Sequence, residues 1–223
     1  MSKNLVIKDA STLPAHLATD KAVGNENLGA DSLAIPYISL LQNMSKVCTK
    51  GSAEYIKGAE PGQFHNTVTG ELLDEIVCAN MFMDVVYSAN KKQELGDDYQ
   101  GDHPSFEAAV DHIEGQGLNA NDYNIIEVHK HMLALFDEKS GELKSAAIYS
   151  FRNTALKSSR SWNSQILSEY PNADRFAGIW KIEPKLNSNN KGSWYTPAVS
   201  LIGYANEDVY ETLKEKYSQW RSE

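Results

Sequence analysis

Apolar residues recur along this chain with two periods, and the changes between them mark the elements. Glu75–Ser88, EIVCANMFMDVVYS, is apolar and β-branched and predicts a strand. Tyr123–Phe136, YNIIEVHKHMLALF, and Lys144–Arg152, KSAAIYSFR, flank a polar turn with Gly141 near its end and predict an antiparallel hairpin. Phe176–Leu186 and Trp194–Tyr204 alternate on either side of the polar connection NSNNKGS (187–193) and predict a second hairpin. Pro197 has no N–H to donate, which suits an edge strand or a bulge. Between the hairpins the period lengthens. Asn153 or Thr154 can cap a helix running to about Glu169, with Leu156, Ser159, Trp162 and Ile166 along one stripe and Pro171 beyond its end. Asn206 caps a last helix, EDVYETLKEKYSQWR, whose core stripe is Val209, Leu213, Tyr217 and Trp220.

The remaining stretches are shorter or broken. Ile35, Ile38 and Leu41 in IPYISLLQNMSKV favour a short helix. Pro61-Gly62 and Thr69-Gly70 mark turns, the second lying between Phe64 and Leu72 as in a hairpin. Phe106–Ile113 predicts a helix starting near Ser105, with Phe106, Ala109, Val110 and Ile113 on one face. Residues 1–34 are small and polar without a period and read as a flexible arm. The expected organisation is that arm followed by a single domain over 35–223, with an acidic insertion at about 91–122. The fold class is α+β, mainly antiparallel. No repeat of 20–50 residues is present.

Composition narrows the setting. With 223 residues, 41% hydrophobic and 23% charged, the chain has the make-up of an ordinary globular protein. No apolar run approaches a membrane span, and the first residues lack a secretory apolar core. Cys48 and Cys78 match no zinc spacing and read as buried thiols. These features predict a cytoplasmic protein without membrane association.

Charge is unevenly spread. Lys144–Tyr204 carries eight cations against three carboxylates, a net of +5 within a chain of −9, so the remainder sums to −14. Residues 94–142 hold twelve carboxylates against Lys130 and Lys139. The acidic total argues against indiscriminate duplex binding, which rests on phosphate neutralisation, but leaves room for a local basic groove. The acidic stretch reads as a solvated insertion, or as an internal shield competing for the basic surface.

Candidate chemistry is sparse. His129 and His131 share one strand face, which is half a metal site, and His103 or His112 would have to complete it. The expectation is no metal and no cofactor. Neither a Gly-x-Ser-x-Gly elbow nor a phosphate-loop or dinucleotide fingerprint is present. The protein reads as a binding protein rather than an enzyme. A metal-dependent nuclease built on the acidic cluster is the weaker alternative.

What remains is aromatic residues interleaved with cations, the combination a single-stranded nucleic acid needs: cations follow the phosphates and rings stack on bases. Arg152, Lys157, Arg160, Lys181, Lys185 and Lys191 are the phosphate candidates, and Tyr149, Trp180, Trp194 and Tyr195 the stacking candidates. Trp162 lies on the apolar stripe of its helix and is expected inside. A curved five-strand sheet with two hairpins, an interposed helix and a C-terminal helix is compatible with an elaborated oligonucleotide-binding (OB-fold-like) barrel.

IPYISLLQNMSKV, GAEPGQFHNTVTGE, SFRNTALKSSRSWN and KGSWYTPAVSLIGYANEDVY together resemble a family of phage-encoded single-stranded DNA-binding proteins of the replication module, over about 35–210. The resemblance implies an oligonucleotide-binding fold, single-stranded DNA as partner in viral DNA replication or recombination, and the host cytoplasm as location. It singles out Thr154–Trp162 and Lys191–Tyr195 as functional patches. Better-known phage single-strand binders carry an acidic C-terminal tail that recruits partners, whereas this sequence ends Gln219-Trp220-Arg221-Ser222-Glu223. Replication proteins as partners, a homo-oligomer, and binding of a host protein by DNA mimicry stay open.

Overall fold

The computed structural model describes residues 34–137, 140–190 and 192–221, so the predicted arm over 1–34 lies almost wholly outside the described residues. Nine strands form one sheet: β1 (Tyr37–Leu40), β2 (Phe64–Asn66), β3 (Leu72–Leu73), β4 (Ile76–Lys91), β5 (Tyr99–His103), β6 (Tyr123–Phe136), β7 (Leu143–Arg152), β8 (Gly178–Asn189) and β9 (Gly192–Tyr204). Their spatial order is β3-β2-β1-β7-β6-β4-β8-β9, with β5 also on β4. Every pairing is antiparallel except β1 with β7. Along one side of the long strand β4, β8 pairs with Ile76–Ala79 and β5 with Tyr87–Asn90. The acidic segment therefore extends the sheet through β5. It also supplies the helix α1 (Phe106–Gly115), which starts where Ser105 accepts a hydrogen bond from the Ala108 amide.

The sheet is covered on both faces, which is why Met132–Leu135 of β6 are all buried. Alternate residues of a strand point to opposite faces. On one face, Leu133, Leu135, Tyr149, Phe151, Trp180 and Ile182 pack against Trp162 and Ile166 of α2 (Leu156–Glu169). On the other, Ala79, Met81, Met132 and Ala134 pack with Phe176 against Leu213 of α3 (Glu207–Arg221). Asn206 caps α3 by accepting from the Val209 amide at 2.9 Å. The class is α+β and mainly antiparallel with a C-terminal helix, as expected, and the sheet curls into a half-barrel compatible with an oligonucleotide-binding type of fold.

The curl brings β9 against the chain that follows β1. Gln42 holds Tyr195 as a neighbouring strand would: its Oε1 accepts from the Tyr195 amide at 2.9 Å and its Nε2 donates to the Tyr195 carbonyl at 3.1 Å. Asn43 adds a donor to the Ser193 carbonyl at 3.3 Å. The Tyr195 ring lies over Gly62 (φ 96°), where a Cβ would come within 2.9 Å of it. Only glycine suits that crowded, left-handed position.

Three expectations give way. Residues 37–40 form a strand rather than a helix, because β2 and β7 both offer hydrogen bonds to it, and a spacing read over seven residues cannot outweigh two sheet partners. The second hairpin forms, but its polar connection is shorter than 187–193: β8 and β9 stay paired out to Asn189 and Gly192. Neither Asn153 nor Thr154 caps α2. Both lie in a 3-10 turn ahead of it, Asn153 at φ 52°, and the N-cap is Ala155 without a side-chain hydrogen bond.

Candidate nucleic-acid interface

The basic–aromatic residues fall into two groups. Tyr149 is 3% exposed and Trp180 fully buried, so the expectation that they stack on bases is corrected. The alternation placed each on one strand face, and that face is the one covered by α2. Burial pushes the Tyr149 hydroxyl's pKa up, and the Trp180 indole N–H donates to Tyr170 Oη at 3.1 Å. Trp162, also fully buried, meets Trp180 edge-on at 5.7 Å. Two of the cations are occupied: Arg160 pairs with Glu127 at 2.9 Å and Lys181 with Glu75 at 2.8 Å.

The second group stays at the surface. Arg152 ends β7, Lys157 lies in the first turn of α2 and Lys185 on β8, all exposed and none in an ion pair among the described residues. Lys191 lies outside the described residues. Trp194 and Tyr195 on β9 are both half-buried, but Tyr195 is committed to Gln42 and Gly62. Trp194 and Thr154 both line three adjoining clefts. One, of about 480 Å³, opens between β1, the end of β7 and β9, with Arg152 on its wall. Another, of about 380 Å³, runs between α2 and the β8–β9 hairpin with Lys157 and Lys185 on its walls. The smallest meets the turn at Asn189, Gly192 and Ser193.

The histidine pair does share a face, and a serine from α2 fills the space between the rings. Ser159 Oγ, fully buried, lies 2.8 Å from His129 Nδ1 and 2.7 Å from His131 Nε2. The chain of bonds continues at both ends, and it orders the protons. Arg175 Nε donates to Asn80 Oδ1 at 3.0 Å, which turns the Asn80 amide N–H toward His131 Nδ1 at 2.9 Å. A neutral His131 then donates from Nε2 to Ser159, whose own hydroxyl has His129 Nδ1 and Met83 Sδ as acceptors within reach, and His129 Nε2 lies 2.7 Å from Glu127. Burial, then the nearby Arg175 and His129, hold the His131 pKa well below its ordinary value. Bonds from His129 and Arg160 lower that of Glu127. The order serine–imidazole–carboxylate is that of a nucleophilic triad, but Ser159 has no exposed surface. His103 and His112 instead meet each other at 4.7 Å, and no metal-ligating group of three is found among the described residues. This polar chain could be suspected from the His-x-His spacing, but its serine, read as a core-stripe position, could not be assigned to it.

The family profile described as Pam3 phage gp34-like protein matches residues 7–223. The chain belongs to this family. It is thus a phage protein, and no described helix is long and apolar enough to cross a membrane. No curated protein and no solved structure matches it.

Proposed function

We propose that this phage protein binds single-stranded DNA, without catalysing a reaction on it, in the viral replication or recombination that takes place in the host cytoplasm. The observation that carries the reading is the meeting of three clefts at Trp194, flanked by Arg152, Lys157 and Lys185, which have no carboxylate partner among the described residues. Cations flanking a half-exposed indole supply the two terms of sequence-tolerant strand binding: phosphate neutralisation and stacking. The strand would run along the β8–β9 hairpin and the start of α2, in contact with the Thr154–Trp162 and Lys191–Tyr195 segments.

Titration of oligo(dT) against tryptophan fluorescence at several salt concentrations tests this. Quenching is expected, with log affinity falling against log salt at a slope of about −2 for three neutralised phosphates. Absence of binding at low salt overturns the reading. The net of −14 outside residues 144–204 supports a second one, in which the acidic surface mimics DNA toward a host protein. Tight capture of a DNA-binding host protein, together with indifference to oligo(dT), would favour it.

A further inference from the structure

Ser159 and Trp162 are two of the three buried residues of α2, and both touch His131. The Trp162 ring lies 5.0 Å from the imidazole and parallel to it within 1°. Asn163, the next residue, accepts from Arg175, which also donates to Asn80 on β4. α2 is thus seated on the sheet through a polar cluster with His131 at its centre. That cluster is built for a neutral imidazole. With Asn80 Oδ1 taken by Arg175, the Asn80 amide N–H donates to His131 Nδ1. A protonated imidazole carries N–H on both nitrogens, so Nδ1 would then meet the Asn80 N–H donor against donor. Turning the Asn80 amide over moves the clash to Arg175, whose guanidinium has no acceptor.

The charged and titratable neighbours do not rescue the proton. Arg175 faces His131 from the turn before β8, His129 from the same strand, and β7 sets the buried Tyr149 beside it. β4 offers Asn80 and Met83, both uncharged. Glu127 lies beyond His129 and is paired with Arg160 of α2. The face of Trp162 attracts a cation, but burial and the like charge of Arg175 outweigh it, and the His131 pKa lies well below its ordinary value. We propose that the cluster is an acid-sensitive latch: α2 lifts from the sheet as a unit, and a proton taken up by the uncovered His131 keeps it from reseating. The opposite face of the sheet has its own core of Met81, Met132, Phe176 and Leu213, which this opening leaves in place. α2 also carries Lys157 on the wall of the groove proposed for a strand, so an open latch removes that wall. Only this last consequence rests on the single-strand reading.

Backbone hydrogen exchange, followed residue by residue between about pH 8 and 5 and corrected for intrinsic rates, tests the latch on the protein without DNA, so that it and the single-strand reading fail separately. Amides of α2 should be less protected than those of β6 at every pH, the mark of a separate opening. Their protection should also fall below about pH 6.5, by up to about 10-fold per pH unit, the value for one proton taken up by the open form alone. In His131→Gln, which cannot take up that proton, α2 should still open separately, and the fall should flatten by up to about 10-fold per pH unit. Equal protection of α2 and β6 at every pH overturns the proposal, because α2 then opens only with the whole molecule. A separate opening whose protection does not change with pH overturns it too, as does a fall that His131→Gln leaves intact. If the variant does not fold, the comparison of α2 with β6 in the unaltered protein decides.

Discussion

Trp180 and Trp194 sit near opposite ends of one hairpin, and their surroundings differ in kind. Trp180 is fully buried, its N–H is bonded to Tyr170, and the Lys181 beside it is held by Glu75. Trp194 is half-buried, its N–H has no partner among the described residues, and Lys185 and Lys157 near it have no carboxylate there either. Around Trp180 the α2 stripe covers the sheet, and the Trp180 N–H and the Lys181 charge are met internally, while the indole N–H of the adjoining Trp162 is buried without a partner among the described residues. At Trp194 the sheet curls past the start of α2 and leaves clefts. Aromatic–basic composition is thus shared by a core and a surface, and what separates them is cover by α2 and whether the neighbouring cation already has a carboxylate partner.

The largest expected effect lies on the buried side. Trp162→Ala or Trp180→Ala should each cost roughly 3–5 kcal/mol of stability, as for other large-to-small core changes. Trp194→Ala, removing a half-buried ring, should cost clearly less. Denaturant unfolding of the three variants checks this, and equal losses would dissolve the distinction.

Acid should act on the same buried side. His131 remains neutral in the folded protein because its pKa is depressed, whereas in the unfolded chain it takes up a proton below about 6.5. The unfolded state then binds more protons, so the stabilisation is complete above that pH and is lost as pH falls from there toward the folded value. The slope is at most about 1.4 kcal/mol per pH unit for this one group. Unfolding midpoints measured from pH 8 to 5 should show the decline, and it should be reduced in His131→Phe.

The surface side should respond in binding. Trp194→Ala should weaken oligo(dT) by about 1–3 kcal/mol, the value of one stacked base, with little change in melting temperature. Tyr195→Ala should show the reverse, losing stability through the packing of its ring over Gly62 while the Gln42 bonds to its backbone remain. If Tyr195→Ala loses only DNA binding, Tyr195 is the stacking ring and Trp194 the structural one.

The smallest expected effect separates the cations. Lys157→Ala should make the salt slope shallower by about 0.7, one phosphate fewer. Arg160→Ala should leave the slope unchanged and alter stability by less than about 1 kcal/mol, since its pair with Glu127 is exposed. Equal changes in slope would mean that Arg160 releases Glu127 to meet DNA.

Much of the architecture was legible from local pattern. The strands β4, β6 and β7, the stripe Ser159–Trp162–Ile166 of α2 and the Leu213 face of α3 follow from periods of two and 3.6 that a few neighbouring residues specify. The candidate site was only half legible. Alternation says that Tyr149 and Phe151 share a face, but the identity of the inner face depends on where α2 lands. The partners of Arg160 and Lys181 are also remote: Glu127 meets Arg160 where α2 lies against β6, and Glu75 meets Lys181 through the pairing of β4 with β8. The same holds for β1, whose strand form comes from β2 and β7, and for Gln42 meeting Tyr195 across 153 residues. Period and capping act over a single turn or a few rungs, so the chain carries them in its local order. Burial, charge pairing and the clefts around Trp194 arise from segments far apart in sequence, and only the folded sheet brings those together.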